Sequence, residues 1–75
     1  MQHEILKLIA DALEVNVSDI YLTSTSNDFA EWDSLGHLTI LQQLDLKYDN
    51  ITDKAPELAS ASTVKEIVDS VISKK

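Results

Sequence analysis

The sequence predicts an all-α fold: a small four-helix bundle of three longer helices and one short helix, with a long loop between helices 1 and 2. Three observations carry this expectation. Apolar residues recur at helical spacing in three separate segments. Gly and Pro number one each, so hairpin signals and flexible linkers are scarce. There is no Cys, so neither disulfides nor a Cys-based zinc site can replace an apolar core. With 75 residues, the chain makes a single domain spanning 1–75.

The first helix is expected over His3–Val15, where Ile5, Leu6, Leu8, Ile9, Ala12 and Leu13 fall on one face. The turn formers Asn16-Val17-Ser18-Asp19 end it. Ile20 to Trp32 shows no clear period and reads as a long ordered loop pinned by Ile20, Leu22, Phe29 and Trp32. The second helix is expected over Ser34–Tyr48, with Asp33 as N-cap and Ser34 as the competing choice. Asp49-Asn50 ends it. A short third helix follows, capped by Asp53, with Pro56 in its first turn and Leu58 facing inward. Thr63-Val64-Lys65-Glu66 is a capping box in which Glu66 reaches back to the Thr63 amide. It opens a last helix with Val64, Ile67, Val68, Val71 and Ile72 on one face and Lys74 and Lys75 against its C-terminal dipole.

Charge narrows the function classes. Thirteen acids face six Lys, for a net charge of −7. Between Leu8 and Leu46 there are seven acids and no Lys or Arg. Nucleic acid is therefore disfavoured as a partner, and proteins with basic patches are favoured. No apolar run approaches the length of a membrane span, and the N-terminus lacks the basic region of a signal peptide. A cytoplasmic monomer is the expectation. The acid-rich segment Asp45–Asp53 lacks the alternating ligands and central Gly of a calcium loop, so no metal site is expected, and weak cation binding by its clustered carboxylates stays open.

The second helix carries two apolar stripes when residues are placed at about 100° each. Ile40, Leu41, Leu44 and Tyr48 cluster on one side, with His37 at the edge. Leu35, Leu38 and Leu46 point the other way, beside Gln42. A bundle helix needs only one buried face, so the second stripe is either covered by the loop or left exposed for a partner. Ser34 stands beside it, flanked by Glu31, Asp33 and Asp45. Ser34 therefore has three readings: a helix cap, a nucleophile paired with His37, or an attachment point. A hydrolase also needs an orienting group, an oxyanion hole and a substrate pocket, for which a small helical domain has little room. No catalytic residue is expected.

Asp33-Ser34-Leu35 at the start of the second helix resembles the attachment motif of acyl carrier proteins. The likeness extends over nearly the whole chain: the length, the acidity, the loop before the serine, Tyr48, Ile51 and the Thr63-Val64 opening of the last helix. The form Trp32-Asp33-Ser34-Leu35-Gly36-His37-Leu38 is most similar to specialised stand-alone carriers. The resemblance implies 4′-phosphopantetheine on Ser34, installed from coenzyme A by a Mg²⁺-dependent phosphopantetheinyl transferase. An acyl or aminoacyl group would then ride on the arm as a thioester. Implied partners are an acyl- or aminoacyl-loading ligase and acyl-transferring enzymes. The docking residues would be Glu31, Asp33, Leu35, Leu38 and Asp45. The chain departs from fatty-acid carriers at Glu31, where they have Gly, and at Gly36, Thr39, Gln42, Gln43 and Lys47, where acids are diluted. Dedicated partner enzymes follow from that. The alternative is an unmodified helical protein–protein interaction domain.

Repulsion among the acidic segments should weaken the fold at low ionic strength. Salt or millimolar Mg²⁺ is therefore expected to raise the melting temperature in a calorimetric scan; a flat or falling value contradicts this.

Overall fold

The computed structural model describes residues 2–74. Four helices form, in the order α1 (Gln2–Leu13), α2 (Ser34–Tyr48), α3 (Ile51–Lys54) and α4 (Val64–Lys74). No strand occurs among the described residues, and the small all-α fold agrees with the sequence.

α1 buries Ile5, Ile9, Ala10 and Leu13. It stops short of the expected Val15 because Glu14 turns into the left-handed region, with φ 59. The Glu14 amide then donates to the Asp11 carbonyl at 3.2 Å and the Val15 amide to the Ala10 carbonyl at 2.9 Å. This is a Schellman ending built without the usual glycine, so nothing in the sequence marks it.

α2 matches its expected bounds. Asp49 and Asn50, at φ 54 and 61, both turn left-handed and end it. Asp and Asn tolerate that conformation better than most residues.

The expected third helix is corrected. Instead of one helix capped by Asp53, α3 begins at Ile51, and a separate 3₁₀ turn covers Pro56–Ser60. Two causes act. Asp45 reaches from α2 and accepts from both the amide and the hydroxyl of Thr52, each at 2.9 Å, which starts the helix early. Ala55 precedes proline and sits at φ −131, outside the helical region, which separates the two turns. Leu58 is buried, as expected.

α4 has its capping box, with one partner changed. The Thr63 hydroxyl accepts from the Glu66 amide at 3.1 Å. The Glu66 carboxylate takes its backbone bond from Ser62 at 3.2 Å rather than from Thr63. Val64, Ile67, Val68 and Val71 are buried, but Ile72 is exposed. Lys74 lies in the last turn; Lys75 is outside the described residues.

The loop between α1 and α2 is ordered by two 3₁₀ turns, Val17–Asp19 and Ser26–Asp28. Ile20 and Trp32 are buried, and Leu22 and Phe29 pack on the core. An isolated bridge pairs Thr25 with Thr63. Around it the Ser26 amide donates to Ser62 at 2.8 Å and the Val64 amide to Ser24 at 3.0 Å. The loop is thus stitched to the start of α4.

Hydrogen bonds led by the Ser62 amide hold the Glu66 carboxyl below the ordinary glutamate value. A depressed carboxyl contributes stability above its unfolded value, and the contribution disappears as pH falls through the lowered folded value. The gap in melting temperature between wild type and Glu66→Ala, followed by circular dichroism, should therefore be full at neutral pH and shrink on acidification. A gap that widens in acid contradicts the cap assignment.

Candidate functional site

Ser34 is placed by three local decisions at the start of α2. Asp33 is extended and caps the helix, its carboxylate accepting from the Gly36 amide at 2.9 Å. The Asp33 carbonyl accepts the first helical bond, from the His37 amide at 2.8 Å. Ser34 is therefore the first helical residue, exposed to solvent. Its hydroxyl, and the amides of Ser34 and Leu35, make no hydrogen bond among the described residues. Free amides at a helix start favour an anionic group there.

Gly36 has a steric reason. A Cβ at this position would overlap the Glu31 carbonyl oxygen and come within 3.1 Å of a Leu13 methyl. The loop backbone crosses over the helix at that point, so only glycine fits.

His37 is tied on both sides. The Trp32 indole nitrogen donates to its Nδ1 at 3.0 Å. An indole N–H cannot accept, so Nδ1 carries no proton and Nε2 does. Nε2 then donates to the Leu58 carbonyl at 2.8 Å. The indole and imidazole planes are within 11° of parallel with centroids 6.2 Å apart. This seam joins the loop, α2 and the 3₁₀ turn after α3. It also occupies both nitrogens of His37, leaving none to take a proton from Ser34.

The second apolar stripe of α2 is not covered by the loop. Leu35 is 75% exposed, Leu38 51% and Leu46 81%. Glu31 and Asp33 are exposed as well, and Asp33 lines one groove with Ser34 and Leu38. Asp45 does not join them. Both of its carboxylate oxygens are engaged by Thr52, so it serves the α2–α3 junction instead of a docking face. Lys47 turns toward α1 and pairs with Glu4 at 3.3 Å.

A solvent-open groove of about 500 Å³ runs from Ser34 between α2 and residues 59–61. Ser26, His37, Leu38, Leu41 and Ser60 are among the side chains that line it. No group of three or more His, Asp or Glu side chains among the described residues is placed to hold a metal ion. No described helix is long and apolar enough to cross a membrane.

Comparison with known proteins finds no matching family model, no similar curated protein and no similar solved structure.

Glu31, Asp33, Ser34, Leu35 and Leu38 are all exposed. The seam and the role of Gly36 are not marked in the residue pattern. The only signal for the seam was the coincidence of the sole Trp with a His five residues later.

Gly36→Ala tests the crossing. Helix propensity alone favours Ala by about 1 kcal/mol. Overpacking against backbone costs about 1–3 kcal/mol and should outweigh it. Urea denaturation is expected to show net destabilisation; a stabilised variant would contradict the close approach.

Proposed function

We propose that this chain is a carrier protein that bears 4′-phosphopantetheine on Ser34 and presents acyl or aminoacyl groups to partner enzymes. The observation that carries this reading is Ser34 itself. It is the first residue of α2, exposed, with an unengaged hydroxyl and two unspent amides beside it. It also stands within the Asp33-Ser34-Leu35 frame that resembles the carrier attachment motif.

The residues fit a phosphodiester. Oγ is reachable, and the helix start offers N–H groups and the positive end of the dipole to the phosphate. In attachment, Ser34 Oγ forms a bond to the phosphorus that carries pantetheine in coenzyme A. The pyrophosphate P–O bond breaks, adenosine 3′,5′-bisphosphate leaves, and the hydroxyl proton passes to a base on the transferase. Once bound, the group supplies a terminal thiol that holds cargo as a thioester.

The remaining side chains supply docking. Exposed Leu35 and Leu38 offer apolar contact, while Glu31 and Asp33 meet basic residues of a transferase, a loading ligase or an acyl-transferring enzyme. Such contact is small and partly electrostatic, which suits fast exchange between several enzymes.

A second reading draws on the exposed stripe through Leu46. There the chain is an unmodified interaction domain whose α2 face is buried in a lasting complex. The hydrolase reading lacks its base, since both His37 nitrogens are engaged.

Incubation with coenzyme A, Mg²⁺ and a broad-specificity phosphopantetheinyl transferase, followed by intact mass measurement, separates the first two. The carrier reading expects the mass of one phosphopantetheine in wild type and none in Ser34→Ala. No gain in wild type, or a gain that survives in Ser34→Ala, rejects it.

A further inference from the structure

We propose that the groove beside Ser34 holds a short acyl group bearing a hydroxyl or ammonium, and that the Trp32–His37–Leu58 seam bars a long alkyl chain from the core. This rests on the carrier reading above.

The groove that starts at Ser34 runs between α2 and residues 59–61, so it offers tethered cargo a route inward between α2 and the turn at Pro56–Ser60. The hydrogen bond from His37 Nε2 to the Leu58 carbonyl, at 2.8 Å, spans that passage. The Trp32 indole closes it from the loop side, bonded to the same ring at 3.0 Å and only 5% exposed. Behind the seam Leu44, Ile51, Leu58 and Ile67 are fully buried, each 0% exposed.

Opening the seam has a specific chemical consequence. It separates the imidazole N–H from the Leu58 carbonyl and the indole N–H from the imidazole Nδ1, in a part-buried place. An alkyl chain offers no donor or acceptor to replace them. Apolar burial of the chain would have to overcome the loss of both seam hydrogen bonds and the displacement of close-packed side chains.

The groove outside the seam has different chemistry. Hydroxyls of Ser26 and Ser60 and the rim carboxylate of Asp33 line it, beside Leu38 and the small Ala61. A hydroxyl or ammonium on a short acyl group finds acceptors there. A cargo with its own carboxylate meets Asp33 in a chain of net charge −7 and is disfavoured.

The test uses direct loading. A broad-specificity transferase attaches acyl-phosphopantetheine from lactoyl-coenzyme A or octanoyl-coenzyme A, and both products are compared with the unacylated holo form by methyl and amide NMR. With lactoyl, the Ser60 and Ala61 amides should move. With octanoyl, the methyls of Leu44, Ile51 and Ile67 and the Trp32 indole N–H should keep their holo positions. Octanoyl-dependent shifts of those methyls overturn the proposal and leave the carrier reading intact. A lactoyl arm that moves neither Ser60 nor Ala61 overturns the groove assignment. A chain that gains no mass overturns the carrier reading and this proposal with it. His37→Ala supplies a second arm: with the seam removed, octanoyl should shift the Ile51 and Ile67 methyls. Should that variant fail to fold by circular dichroism, the wild-type comparison decides alone.

Discussion

The carbonyl of Glu31 lies where a side chain on residue 36 would otherwise be. That steric exclusion lets the loop fold down across the first turn of α2. It brings Trp32 within hydrogen-bonding reach of His37, and it leaves Asp33 extended so that its carboxylate can cap the Gly36 amide. With Asp33 fixed as the cap, Ser34 becomes the first helical residue and faces solvent. Were residue 36 larger, the loop would lift, and the cap, the indole bond and the position of Ser34 would shift together.

Charge in this chain is distributed less simply than its net value suggests. Around Ser34 the exposed acids are Glu31 and Asp33, on the loop side. Further along α2, Asp45 is drawn into the junction with Thr52, and Lys47 is drawn toward Glu4. What remains outward on the helix is Leu35, Leu38, Leu46 and amides, a nearly uncharged strip. A visiting protein would meet an acidic end and an apolar side, so electrostatics can orient it while apolar contact holds it briefly.

Much of the fold was legible because it rests on local rules. Helix periodicity placed α2 at its observed bounds, and the Asp33 cap and the Thr63 box announced two helix starts. The misses share a cause: each depends on a residue acting where its type gives no warning. Glu14 ends α1 in a conformation that usually selects glycine. Asp45 looks like a surface acid until Thr52, seven residues on, takes both of its oxygens. At the site, Ser34, Leu35 and Leu38 could be placed from helical spacing alone. The His37–Leu58 bond could not, because it joins residues 21 apart in sequence through a backbone carbonyl, which any residue possesses.

The Trp32 indole sits where loop, helix and 3₁₀ turn converge, and it is the chain's single tryptophan. Its emission therefore carries no background from other indoles. An ordinary fluorimeter sees this one corner of the molecule. A protein that docks there, or a fluctuation that frees the indole from its imidazole partner, writes its signature in colour and intensity without an added dye.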